Sequence, residues 1–164
     1  MSTQPTESDC ITRSIELAVQ AGDNGNRPFG AVLVATDGTV LAEGLNEVAS
    51  SGDVTAHAEL VAIRHATDDG HADRLHGSTM YASGEPCAMC AAACVWAGVT
   101  KIVYAASTGE FTRILPDGPH FALGCREVID TTDATVDVIG PIHEEEALAA
   151  MRGAVRRVGS IDPI

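Results

Sequence analysis

Apolar residues recur at helical spacing over residues 10–22, where Ile11, Ile15, Ala18 and Val19 share one face. Asp9 is placed to cap that helix and Gly22 to stop it. The polar cluster 23–27 reads as a turn. Residues 29–35 then read as a strand, Asp37-Gly38 as a hairpin signal, and 39–45 as a second strand. Helical periodicity returns over 56–66, with Thr55 or Asp53 as cap and Leu60 and Ile63 facing the core. A short strand follows at 78–82. Pro86, suited to a first helical position, opens a helix through Ala91, Cys94 and Val95 that stops near Gly98. Residues 101–105 form the next strand.

The stretch 108–133 is the least regular part of the chain. Gly109, Pro116, Gly118, Pro119 and Gly124 forbid one long helix there, leaving a turn or two at 126–130. Residues 135–139 read as a fifth strand and 143–158 as a closing helix. That helix carries an apolar stripe of Leu148, Met151, Val155 and Val158. Glu144, Glu145 and Glu146 match the positive end of its dipole, and Arg152, Arg156 and Arg157 the negative end. The order of elements predicts an α/β fold, with β-α-β crossovers making the later strands parallel.

Composition narrows the class. The 164 residues fit a single domain, residues 1–164, and 45% hydrophobic content is ordinary for a globular chain. No apolar run is long enough to span a bilayer, and the polar, acidic residues 1–9 are unlike a signal peptide. Five cysteines argue for a reducing compartment, so the expected location is cytoplasmic. The net charge of −13, with Lys101 the single lysine, argues against a nucleic-acid partner. It is also what adaptation to concentrated salt would produce, although a GC-rich genome equally favours Arg over Lys.

Two motifs carry chemistry: His57-Ala58-Glu59, and Pro86-Cys87-Ala88-Met89-Cys90. They supply one imidazole, two thiols and a spare carboxylate. Three protein ligands leave a tetrahedral zinc one position short, and an open position is what a catalytic zinc uses to activate water. Cys87 and Cys90, spaced i and i+3 at a helix start, project to the same side. Two other readings remain at this point. A Cys-x-x-Cys pair alone is compatible with redox chemistry. A structural zinc would need a fourth ligand from Cys10, Cys94 or Cys125, which otherwise read as small core or surface residues. A zinc-binding module without activity would have no use for Glu59.

With Pro28-Phe29-Gly30-Ala31, Gly44-Leu45-Asn46, Thr55-Ala56-His57-Ala58-Glu59 and Gly84-Glu85-Pro86-Cys87-Ala88-Met89-Cys90 in this order, the chain resembles the cytidine/cytosine deaminase-like zinc deaminases. The resemblance spans residues 26–106. It points to the branch holding guanine deaminases, tRNA adenosine deaminases and fungal cytosine deaminase. It implies a three-layer α/β/α domain around a mixed five-stranded sheet. It also implies hydrolytic loss of ammonia from a base or nucleoside, with His57, Cys87 and Cys90 as zinc ligands and Glu59 as proton shuttle.

The same resemblance assigns Asn46 to hydrogen-bonding the base, and Phe29, Ala58 and Trp96 to substrate contacts, with Trp96 also suited to a homodimer interface. Asn46 read alone is a turn former, and Glu85 reads as a cap for the Cys helix, with contact to the base as the alternative. After Tyr104-Ala105-Ala106 the chain departs from the family's patterns. It lacks both the Lys- and Gly-containing stretch of the tRNA enzymes and a clean acidic segment of the guanine type. Glu110, Asp117 and Glu127 are then the acids available to read a ring N–H. The wording of the first two motifs favours guanine or a related purine, with tRNA adenosine and cytosine as alternatives.

Overall fold

The computed structural model describes residues 4–159; Met1 to Thr3 and the last five residues lie outside it. Five strands form one sheet in the order β2-β1-β3-β4-β5. These are β1 (Gly30–Val34), β2 (Val40–Leu45), β3 (Thr79–Gly84), β4 (Lys101–Ala106) and β5 (Asp137–Ile139). β1 runs antiparallel to both β2 and β3, while β3, β4 and β5 run parallel. The mixed sheet and the parallel crossovers match the expectation from the order of elements.

Side chains alternate across a strand, so one sheet builds two cores. Ala31 and Leu33 of β1 face a layer made by α3 (Ala58–Asp68), α4 (Ala88–Ala97) and α6 (Cys125–Ile129). Val32 and Val34 face the opposite layer, made by α1 (Glu7–Asp23), α5 (Thr108–Ile114) and α7 (Glu144–Val158). The result is the expected α/β/α sandwich. A short helix α2 (Val48–Ser51) and a 3₁₀ turn (Ala72–Arg74) complete the elements.

Several local readings are corrected. α1 starts earlier than residue 10 because Thr6 is its cap; Asp9 sits three residues on and returns a carboxylate to the Thr6 N–H at 2.8 Å. Gly22 does not stop α1 but is buried within it. α3 starts after His57, with Ala58, Val61, Ala62 and Ala66 buried, while Leu60 and Ile63 are half-buried. Small residues face inward here because α3 lies directly on β2: a Cβ on Gly44 would sit 2.0 Å from the Ala58 carbonyl oxygen. In α7 the buried face is Ala147, Leu148, Met151 and Ala154, leaving Val158 exposed.

Candidate active site

The site lies where β1, β3 and the starts of α3 and α4 converge. Cys87, not Pro86, is the boundary residue of α4, so Pro86 precedes the helix and Cys90 falls in its first turn. His57 is the corresponding boundary residue of α3. Neither uses its side chain to cap its own helix, so both side chains remain available. They meet: His57 Nδ1 lies 3.6 Å from Cys87 Sγ and 3.7 Å from Cys90 Sγ.

Those separations fit a metal. Bonds of about 2.3 Å to sulfur and about 2.0 Å to nitrogen at tetrahedral angles place S and N about 3.5 Å apart. Two thiols and an imidazole are a donor set that selects zinc over hard cations. Among the described residues, His57, Cys87 and Cys90 are the group whose ligand atoms cluster closely enough for this. Cys94 and Cys125 are buried but stand outside the cluster, and none of the five cysteines forms a disulfide.

Electrostatics agree with the geometry. The Cys90 thiol alongside pulls Cys87 down to about 4, helped by His57. Cys90 is raised by that same contact and by burial. Hydrogen bonding to Cys87 raises His57. The three groups thus hold fewer negative charges than they could, and a divalent cation would favour both thiolates and the neutral imidazole together. Glu59 is 7% exposed, and burial, with Cys87 adding, pushes its carboxyl up to about 7. A carboxyl held near neutrality is able both to take and to give a proton.

Beside this cluster opens a cavity of about 350 Å³, lined by His57, Glu59 and Cys87 on its inner side. Asn46, 2% exposed, also lines it; its Oδ1 accepts from the Val48 N–H at 3.2 Å, which fixes the orientation of the amide. Phe29 forms an aromatic wall with Phe111, edge to face at 5.2 Å between ring centres. Arg27 lies 5.9 Å over the Phe29 ring, and burial lowers its pKa.

Two residues expected to contact substrate are placed elsewhere. Trp96 is 90% exposed on α4 and does not line the cavity. The Ala58 side chain is fully buried against the sheet, so only its backbone N–H, at the start of α3, is left to act. None of the three acids expected to read a ring N–H lines the cavity. Glu110 pairs with Arg113, Asp117 borders a separate recess, and Glu127 accepts from the Gly124 N–H at 2.7 Å. Glu85 does not cap α4. Its carboxylate instead lines the cavity and accepts from the backbone N–H groups of Thr108 and Cys125.

The outer wall comes from the segment that the sequence leaves irregular. Phe111 and Thr112 of α5, then Pro119, His120, Phe121 and Leu123, close one side of the cavity, and Val54 and Met89 border it too. Sequence reasoning missed α5. The Ser107-x-x-Glu110 pattern is a helix-start signal, but the structure satisfies it differently, with Glu144 accepting from both the hydroxyl and the N–H of Ser107.

The model of the cytidine and deoxycytidylate deaminase zinc-binding region matches residues 5–106. A probable cytosine deaminase of Schizosaccharomyces pombe is 31% identical over 157 residues, 93% of this chain and 95% of that protein. The guanine deaminase of Bacillus subtilis is 46% identical over 99 residues, 58% of this chain and 62% of that enzyme. A solved tRNA:A34 deaminase, studied for A-to-I editing at the wobble position, superposes with a TM-score of 0.74 at 32% identity. That match covers 88% of this chain and 99% of the other.

Proposed function

The chain belongs to the cytidine and deoxycytidylate deaminase zinc-binding family, and from that premise we propose that it deaminates a free purine base, guanine foremost. It is a zinc-type hydrolytic deaminase of the nucleobase and nucleoside class. The single observation that supports a free base is the cavity itself. It is apolar-walled, with an aromatic pair for stacking and one fixed amide for hydrogen bonding. Arg27 is the one lysine or arginine lining it, so phosphate contacts within the described chain are few. Guanine is favoured because the 99 residues matched in the Bacillus guanine deaminase are 46% identical, against 31% for the probable cytosine deaminase.

The roles follow from position. His57 Nδ1, Cys87 Sγ and Cys90 Sγ hold the zinc. When bound, zinc supplies a Lewis acid that makes water nucleophilic at neutral pH. Glu59 takes one proton from the attacking water and passes it to the ring nitrogen beside the amino-bearing carbon. It then takes the remaining proton from the hydroxyl of the tetrahedral adduct and gives it to the amine, which leaves as ammonia while the C=O forms. Asn46 Nδ2 donates to an acceptor on the base, its Oδ1 already held by Val48. Phe29 packs on the face of the base, with Phe111 set edge to face behind it. The Ala58 N–H, an unpaired donor at the start of α3, steadies negative charge as the ring is attacked.

Further readings go with this one. The chain acts as a single domain in a reducing, cytoplasmic setting, in keeping with its five unpaired cysteines. It acts as a homodimer through α4, whose ten residues carry no charge and expose Trp96. Cytosine is the second reading, because the match extending over 93% of the chain is to the probable cytosine deaminase.

Ammonia release discriminates among these, using guanine, guanosine, adenine, adenosine, cytosine, cytidine and an anticodon stem-loop RNA at low and high salt. The highest kcat/KM is expected for guanine. Turnover of cytosine alone, or of the stem-loop alone, overturns the proposal. The salt arms also test the acidic surface, since adaptation to salt predicts higher activity at molar KCl.

A further inference from the structure

Glu85 precedes the Pro86-Cys87 step, and its backbone N–H donates to the Ala106 carbonyl at 2.7 Å, which pins it to the end of β4. From there its side chain reaches two separate places. Oε2 accepts from the Thr108 N–H at 2.9 Å, and Oε1 from the Cys125 N–H at 2.8 Å. Thr108 and Cys125 are the first residues of α5 and α6, and such N–H groups have no partner inside their own helix.

Neither helix supplies its own cap to these groups. The Ser107 hydroxyl is engaged by Glu144, and position 124 is a glycine. That glycine is required by the contact: a Cβ on Gly124 would stand 2.8 Å from Glu85 Oε1. Between the two anchors, Phe111, Thr112, Pro119, His120, Phe121 and Leu123 form the outer wall of the cavity. The middle of the wall is held more loosely. Arg27 reaches the carbonyls of Leu115 and Asp117 at 3.5 and 3.4 Å, and Phe121 and Leu123 are 62% and 55% exposed.

We propose that Glu85 is a positioning residue: one carboxylate latches both ends of the wall formed by residues 108–125 and so sets which base the cavity accepts. The proposal rests on the deaminase reading for its substrate, but the latch itself does not. Hydrogen bonds to an ionised acceptor are stronger than neutral ones, and a single group making two of them couples the two ends. The anchor lies two residues from Cys87, so the wall is registered against the chemistry and not merely against the sheet.

E85Q tests this in the full-length zinc-loaded protein. The carboxamide has the same shape but one oxygen, so one of the two N–H groups faces an NH₂ and loses its acceptor. Zinc content is expected to stay at one per chain. Amides within 108–125 are expected to exchange on the order of tenfold faster, while strand amides keep their protection. KM for the best base is expected to rise more than kcat falls, and the preference between guanine and cytosine to narrow.

E85D keeps the charge on a shorter arm that cannot span both anchors, and it is expected to loosen one end only. This second variant reads the latch if E85Q does not fold. Unchanged exchange in the wall, with unchanged KM and ranking, overturns the proposal. So does a general loss of protection with KM intact, which would make Glu85 a stability residue, or a loss confined to kcat, which would place it in the reaction. If the unmutated protein turns over none of the bases, the substrate reading has failed, and wall exchange with zinc content still decides the latch.

Discussion

The metal corner and the outer wall are built on opposite principles. The corner is set by short-range sequence: His57 and Glu59 two residues apart, Cys87 and Cys90 three apart, each pair fixed at the start of a helix that packs on the sheet. The wall, residues 108–125, is assembled from far-apart partners. Glu85 holds both of its ends, Glu144 holds Ser107, and Arg27 reaches its middle. On the proposed reading, the chemistry is written locally, while selection among bases is written across the fold in a segment whose one helix longer than a turn is α5.

The comparison breaks most sharply at Glu59. Glu59→Ala is expected to lower kcat by about 10²–10⁴-fold or more, because one carboxylate serves every proton transfer. Zinc content and the melting transition are expected to survive. Near-normal ammonia release from that variant would remove Glu59 from the reaction. Asn46→Ala comes next, with kcat/KM expected to fall by about 1.5–3 kcal/mol if the amide meets a charged or strongly polarised base. A loss confined to stability would mean that Asn46 only orders Val48.

Much of this was legible in advance, for a physical reason. Ligand spacing at helix starts and the continuous apolar run of β1, buried along its whole length, are local signals, so the corner and an α/β sheet follow from the chain read in order. α5 was not legible because Gly109 argues against a helix, while the groups that stabilise its start, Glu85 and Glu144, lie 23 and 37 residues away. Glu110, Asp117 and Glu127 fail to reach the cavity for reasons that do not depend on such distance. Glu110 and Glu127 have local partners, Arg113 and the Gly124 N–H, that a search for substrate-reading acids does not weigh.

Smaller effects sharpen the wall side. Phe111→Ala removes the edge-to-face contact with Phe29 and is expected to raise KM several-fold, in line with about 0.5–1.5 kcal/mol for such a pair. Steady-state kinetics on the best base reads this, and an effect larger than that of Asn46→Ala would reverse the order of importance. Smallest for the isolated chain is Trp96→Glu. At 90% exposure it is expected to shift unfolding by no more than about 0.5 kcal/mol. It is also expected to convert a dimer to monomers by light scattering. An unmutated protein that is already monomeric at micromolar concentration would contradict the role given to α4.

The central claim is a zinc held by three protein ligands with one position open to solvent. X-ray absorption at the zinc edge of the purified protein tests it most directly. The account predicts one zinc per chain with two sulfur neighbours, one imidazole nitrogen and one light oxygen neighbour. Three or four sulfur neighbours, recruiting Cys94 or Cys125, would show a closed structural site and contradict it.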